Sequence, residues 1–408
     1  MTPTHKALTR GPAVDDPVAA RRAGADWLSL ALIDARNHLL RWLAALENSA
    51  HGALAPAAGL PSALWLAGHA AWWAEYWIVR NVQAQRGEAA DPQGPRLASV
   101  DLQADAFHPS RRPQACIAAP QWDDCASVRA YLSDTLEAVL ELLDVAGDDD
   151  AALHYYRLAL RLEDRTVEEL IALAQAVGVT DGPWPAQRPL PDRAPLWLPA
   201  RRFELGSAPG GLVPGAERWA HPVALPAGEI DAQPVNWARW AEFARDGGYD
   251  EPRWWQPEGW AWLQAGQRRA PRYVEQQQPS VVLQRQGRLQ RVSGAQAAAH
   301  VTRHEAMAWC QWAGRRLPTE AEWERAACEA EGLGFSWGQV LEWVAGRAEC
   351  WPGHNTPPGD VGPLPQTASA VLRGASAWTP ARLAHARARR FEPAEADLMP
   401  TGFRSCAI

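Results

Sequence analysis

Apolar residues recur every three or four positions through the first part of the chain. Leu28, Leu32, Leu39, Trp42 and Leu43 form one helical stripe, and Leu136, Val139, Leu140 and Leu143 form another. The pattern predicts helices over about 17–48, 61–86, 122–147 and 151–178, with Pro61 and Gly178 as boundaries. Four helices of this length, with one long irregular connection over 87–121, predict a four-helix bundle spanning 17–178. The periodicity then stops. Residues 179–200 carry Pro183, Pro185, Pro189, Pro191, Pro195 and Pro199, whose rings remove backbone donors and stiffen the chain, so a linker and domain boundary are expected there. Beyond it the pattern is short and broken. Residues 203–207 and 217–223 read as strands with tight turns, and 236–243 as a helix ending at Asp246-Gly247-Gly248-Tyr249. The fold class expected is α+β, a helical bundle followed by a mixed domain over 201–408.

The best-determined helix start in that second domain is Gly314-Arg315-Arg316-Leu317-Pro318-Thr319-Glu320-Ala321-Glu322-Trp323-Glu324. Thr319 followed three residues later by Glu322 is a capping box. Pro318 lies just outside, where a missing N–H is harmless, and Glu320, Glu322 and Glu324 favour the positive end of the helix dipole. A capped structural helix is the simplest account of these residues.

Composition narrows the classes. With 21% charged and 47% hydrophobic residues in 408, the chain has the balance of a globular protein large enough for two cores. A net charge of −7 argues against nucleic acid, whose phosphates need a basic face. The 23 tryptophans suit irregular packing, where an indole fills space and its N–H holds a backbone carbonyl. Residues 1–16 contain no apolar run after their basic positions, and no stretch is long enough to span a bilayer, so a cytoplasmic protein without membrane contact is expected. Cys116, Cys125, Cys310, Cys328, Cys350 and Cys406 show no regular spacing, so buried free thiols are expected in place of a zinc site or disulfide framework.

The string from His304 to Ala313, followed by GRRLPTEAEWERAA, resembles the signature of the formylglycine-generating, or sulfatase-modifying factor, superfamily. Phe335-Ser336-Trp337-Gly338, Leu341-Glu342-Trp343, Val371-Leu372-Arg373-Gly374 and Thr401-Gly402-Phe403-Arg404 follow in that family's order. The resemblance implies a C-type-lectin-like α/β domain for the second half. In the first half, Leu64-Trp65-Leu66-Ala67-Gly68-His69-Ala70-Ala71-Trp72-Trp73 resembles the DinB-like bundle that is fused to such a domain in the ergothioneine sulfoxide synthases and selenoneine synthases. The strings RLASVDLQADAF and TGFRSCAI resemble the selenoneine branch. That resemblance implies Fe(II) held by three bundle histidines, and oxygen-dependent joining of sulfur or selenium to the imidazole of histidine betaine.

The chain departs from this family where the chemistry is concentrated. One implied ligand stands at His69. The other two belong to a His-Glu-Asp-Met-His-x-Glu stretch whose histidines, four apart, share a helix face. Here that stretch reads Leu162-Glu163-Asp164-Arg165-Thr166-Val167-Glu168. Leucine has no lone pair and a neutral threonine hydroxyl is a poor ligand, so one imidazole of three is left and no bound cofactor is expected. Glu169 falls on the face of Leu162 and Thr166 and is the candidate substitute, with Asp164 or Glu168 as helpers. His154, about 12 Å along the axis from Leu162, is too far away.

Near the end of the chain, where the resemblance implies a substrate pocket, Arg387, Arg389 and Arg390 are the candidate ligands for a carboxylate, because guanidinium forks match carboxylate geometry. The loop after Trp343 runs Glu349-Cys350-Trp351-Pro352-Gly353-His354-Asn355 and offers no tyrosine. The cysteine pair of the formylglycine-generating enzymes has no counterpart in 375–390, and no G-x-S-x-G, H-E-x-x-H or P-loop occurs. The expected function is a degenerate paralogue binding a small carboxylate-bearing, histidine betaine-like molecule or an active relative. An enzyme with a rearranged metal site and a structural or interaction module are the alternatives.

Overall fold

The computed structural model describes residues 12–52, 56–99, 101–111, 122, 124–360, 362 and 369–408; Cys116 and part of the predicted 87–121 connection lie outside them. The first apolar stripe forms two helices, α1 (Ala19–Arg22) and α2 (Ala25–Glu47). The predicted single helix breaks because Ala23 and Gly24 are extended, and the Ala25 amide bonds the Asp148 carboxylate at 3.0 Å in place of a helical carbonyl. Helix α3 (Ala63–Ala74) starts at Ser62, whose hydroxyl accepts from the Trp65 amide at 3.3 Å. It is apolar all round, and every one of its residues except His69 is buried. A π-turn over Glu75–Val79 extends it. The helix predicted to reach 86 stops there, since the Arg80 carbonyl accepts from the Leu97 amide. Helices α4 (Cys125–Asp144) and α5 (His154–Val177) complete the bundle, α4 capped by Asp124 and α5 closed by Gly178 in the left-handed conformation, φ 77°. Leu28, Leu32, Leu39, Trp42 and Leu43 share one core with Leu158, Leu170 and Leu173 of α5.

The second half is built of short strands around four helices. In order they are β1 (Leu196–Leu198), β2 (Arg201–Leu205), β3 (His221–Leu225), β4 (Gly228–Ile230), α6 (Trp237–Arg245), α7 (Pro257–Gly266), β5 (Val274–Gln276), β6 (Val282–Arg285) and β7 (Arg288–Arg291). Then follow α8 (Arg303–Trp312), α9 (Glu320–Glu329), β8 (Leu341–Trp343), β9 (Ser369–Arg373), β10 (Arg389–Pro393) and β11 (Thr401–Phe403). The largest sheet has the order β10-β9-β8-β11, with β11 parallel to β8 and the other pairs antiparallel. β1 pairs with β4, so the end of the proline-rich stretch is a strand. The fold is α+β, a DinB-like bundle followed by a C-type-lectin-like domain.

The motifs found in the sequence hold this second domain together. Thr302 with Glu305 and Thr319 with Glu322 both form complete capping boxes, and Arg316 grips Glu322 with two bonds of 2.8 Å. Glu342 of β8, fully buried, accepts from the Trp323 indole at 2.9 Å and from Arg404 through both carboxylate oxygens. The Trp343 indole donates to the Val301 carbonyl at 2.8 Å. Cys310 and Cys406 are buried and Cys125 is half-buried, whereas Cys328 and Cys350 are exposed. The expectation of buried thiols therefore fails for those two, which fall in the polar last turn of α9 and in a loop.

Charged contacts join the two halves. Arg21 of α1 bonds both oxygens of Glu217, at 2.7 and 2.9 Å. Burial opposes ionisation of Glu217, but the Arg21 charge and bonds overcome it and hold the carboxyl down at about 2. A depression of that size is worth roughly 3 kcal/mol. Because the folded pKa lies below the unfolded one, this stability is full above pH 4.5 and is lost as the pH falls from 4.5 through 2. Urea titrations between pH 5 and 2 are expected to show a steeper acid loss in the natural chain than in Glu217→Gln. Parallel pH profiles of the two proteins would contradict this assignment.

Candidate functional site

A cavity of about 580 Å3 that has His69 on its wall lies between the bundle and the lectin-like domain. His69 of α3 lines it, facing Leu162, Arg165, Thr166 and Glu169 of α5. Positions 162, 165, 166 and 169 belong to one helical face, so a single stripe of α5 forms one wall. Thr401 of β11, Glu392 of β10 and Asp360 line the rest. Asp360 is held by the backbone amides of Gly215 at 2.7 Å and Gly362 at 3.2 Å.

His69 keeps the posture of a ligand. Its Nδ1 lies 2.9 Å from the Phe107 carbonyl, which can only accept, so Nδ1 carries the proton in that bond. The ring stacks on Trp65 with centroids 4.9 Å apart and planes 5° apart. Gly68 permits the approach of the 104–107 segment: a Cβ at this position would stand 2.2 Å from the Phe107 ring. A carbonyl orienting one imidazole nitrogen is the usual support of a metal-binding histidine.

The acidic residues of the inherited stretch face elsewhere. Glu163 accepts from Arg36 of α2, with the Nε bond at 3.0 Å. Asp164, fully buried, accepts from the Arg382 Nε at 2.7 Å. Burial pushes its carboxyl up to about 7 against the pull of Arg382. Glu168 pairs with Arg390 and with the Thr379 hydroxyl. Asp164 and Glu168, the expected helpers for a metal, are therefore committed to arginines of the lectin-like domain, because they sit on the sides of α5 that contact it and not on the cavity stripe.

The three candidate arginines near the end of the chain are also engaged. Arg387 donates to the Glu204 carbonyl at 2.9 Å and to Glu324 at 3.0 Å. Arg389 is buried, bonded to Glu320 at 2.6 and 2.8 Å and to the Ala216 and Glu349 carbonyls, and covered by Trp351. Arg390 pairs with Glu168. None of the three lines the main cavity. The cavity residues that sequence reasoning passed over are Arg165, Asp360, Glu392 and Thr401. For Arg165 a signal existed, since it falls on the same stripe as Leu162 and Glu169.

The Fe(II) implied by the family resemblance does not fit these residues. His69 is the imidazole on the wall, and the positions facing it on α5 hold an aliphatic chain, a neutral hydroxyl and a guanidinium. Glu169 shares the cavity with the Arg165 cation, which repels a dication. Among the described residues, no group of three or more His, Cys, Asp or Glu side chains could hold a metal ion.

Comparison with known proteins agrees with this architecture. Residues 31–175 match the DinB superfamily, and residues 184–356 match the Sulfatase-modifying factor enzyme 1-like domain. A hercynine oxygenase of Mycolicibacterium smegmatis is 32% identical over 337 residues, covering 79% of this chain and 73% of that protein. Another, of Mycolicibacterium thermoresistibile, is 30% identical, covering 84% and 76%. A formylglycine-generating enzyme of Streptomyces coelicolor is 32% identical over 42% of this chain and 59% of its own length. Identity of this degree over most of the chain and of its relatives, together with the two domain matches, shows that the chain belongs to the hercynine oxygenase family of ergothioneine-synthase-like proteins.

Proposed function

We propose that this chain is a degenerate member of its family that binds a small carboxylate-bearing molecule of the histidine betaine type without performing oxygen chemistry. The relatives carry the name hercynine oxygenase, and hercynine is histidine betaine. The observation that carries the reading is the cavity wall: one imidazole, His69, faces Leu162 and Thr166 where the resemblance implies two more, while the cavity keeps a volume of about 580 Å3. That volume is in the range of small-molecule sites. Two aromatic walls, Trp65 and Trp73, and the acidic Glu169 suit a quaternary ammonium.

The test has two arms. Histidine betaine at a hundredfold excess over its Kd is expected to stabilise the protein by about 2.7 kcal/mol, read as a rise in melting temperature. Anaerobic loading with Fe(II) followed by desalting is expected to leave no stoichiometric iron. Tight iron binding that disappears in Glu169→Ala would replace this reading with a rearranged metal site and an active enzyme. A melting curve indifferent to histidine betaine and to related carboxylate-bearing thiols and selenium compounds would leave a structural role or the binding of an active paralogue.

A further inference from the structure

Two guanidinium groups one turn apart on α5 have donors that no described residue accepts. Arg165 lines the cavity, and Arg161 stands about 6 Å behind it along the helix axis. Arg161 lines a recess of about 10 Å3, whose wall shares Arg165, Asp360, Gly362 and Glu392 with the cavity. A space of that size takes roughly one oxygen atom with its hydrogens. The Arg161 Nε is shut off from solvent and has no hydrogen-bond partner. Arg165 draws its electrostatic support from the Glu168, Glu169 and Glu392 carboxylates without a direct hydrogen bond to a described residue.

Arg161 and Arg165 are half-buried, and fully buried arginines of the chain meet carboxylates directly. Arg36, Arg373, Arg382, Arg389 and Arg404 each meet a carboxylate. A half-buried guanidinium with no direct hydrogen bond from its head to a carboxylate is open to a further acceptor. Burial drags the Arg161 guanidinium down to about 10, and the neighbouring Arg165 charge adds to the effect. The Thr401 hydroxyl, on the same cavity wall, is likewise buried with no partner. Arg165 and Thr401 thus share the cavity wall, and Arg165 also lines the recess that Arg161 borders; buried polar groups such as the Arg161 Nε and the Thr401 hydroxyl are normally satisfied by protein, water or ligand.

We propose that Arg165 and Arg161 are the carboxylate-binding residues of this cavity. Arg165 donates to the ligand's carboxylate, one oxygen of which enters the recess toward Arg161, and the Thr401 hydroxyl bonds the same ligand. The proposal rests on the reading that the cavity takes a carboxylate-bearing small molecule. It assigns the task to a position inside the stretch where the family resemblance implies metal-binding histidines, not to Arg387, Arg389 or Arg390.

The experiment is calorimetric titration of the full chain with histidine betaine and with its decarboxylated counterpart, which keeps the imidazole and the trimethylammonium group. The natural chain is expected to prefer the carboxylate-bearing compound by at least about tenfold, the scale of one charge-assisted hydrogen bond. Arg165→Met is expected to lose that preference, Arg165→Lys to keep part of it, and Arg161→Met to weaken it. The unliganded melting temperature of Arg165→Met is expected to equal or exceed that of the natural chain, because the variant keeps no half-buried cation at this position. Equal betaine affinity in the natural chain and Arg165→Met would overturn the carboxylate subsite while leaving the cavity reading intact. A lower unliganded melting temperature with an unchanged preference would make Arg165 a structural counter-charge. Failure of both compounds to bind the natural chain would overturn the subsite and the cavity reading together.

Discussion

Arg404→Ala is expected to cost about 3–5 kcal/mol of stability, the usual penalty for stranding one member of a buried ion pair. Arg404 and Glu342 are both fully buried. Arg404 bonds both oxygens of Glu342 and also reaches the Asp231 carbonyl at 2.9 Å and the Ser336 carbonyl at 2.6 Å. Without it, Glu342 keeps one described donor, the Trp323 indole at 2.9 Å, for a carboxylate with no access to water. The comparison that isolates the mechanism is Arg404→Met with Glu342→Leu. Replacing both charges by apolar groups of similar volume removes the stranded charge, so the double variant is expected to recover most of the loss in urea unfolding. If the double variant is as unstable as Arg404→Ala, the loss comes from the carbonyl contacts and not from Glu342.

The second large effect concerns the stretch of α5 where the family resemblance implies two metal-binding histidines. Leu162→His with Thr166→His places two imidazoles on the α5 stripe that faces His69, whose Nδ1 bond to Phe107 already orients the ring. A divalent ion such as Zn2+ is expected to bind this double variant where the natural chain binds none stoichiometrically. Arg165, between the two new ligands in sequence, opposes it: a unit charge about 6 Å from a dication costs roughly 5 kcal/mol at an effective dielectric of about 20. Adding Arg165→Met is therefore expected to tighten binding by at least about a hundredfold, measured by competition with a chromophoric chelator. Equal metal affinity of the double and triple variants would show that the guanidinium points away from the metal position. Loss of binding on His69→Ala in the triple variant is the companion check that all three imidazoles take part.

These two sites differ in how they could be read. The Arg404 motif and the Thr319–Glu322 cap stood out as ordered strings, and the cap is physically local. Its bonds, from the Glu322 amide at 3.2 Å and the Thr319 amide at 2.7 Å, span three residues, so the residues that make it are adjacent in the chain. The same holds for the helix stripes of α2 and α4 and for the left-handed Gly178 that ends α5, since periodicity and backbone conformation are properties of a short window. The shared face of Leu162, Thr166 and Glu169 was also legible. Positions 162, 166 and 169 must share a face in any α-helix, whatever packs against it.

Pairing of charges was not legible, because it joins residues far apart in the chain. Arg390 meets Glu168 and Arg382 meets Asp164 across more than two hundred positions. Nothing in the strings around Arg387, Arg389 and Arg390 tells that their donors face Glu324, Glu320 and Glu168. For Arg165 the helix stripe shared with Leu162 and Glu169 is legible, but what faces that stripe is not. Only the tertiary structure makes Arg165 a half-buried cation on a cavity wall that Glu392 of β10 and Thr401 of β11 also line. The sequence by itself determined the bundle, the lectin-like domain and the family, all of which depend on short-range pattern. The tertiary structure alone decided which polar groups are satisfied, because satisfaction depends on what the other domain brings within hydrogen-bonding distance.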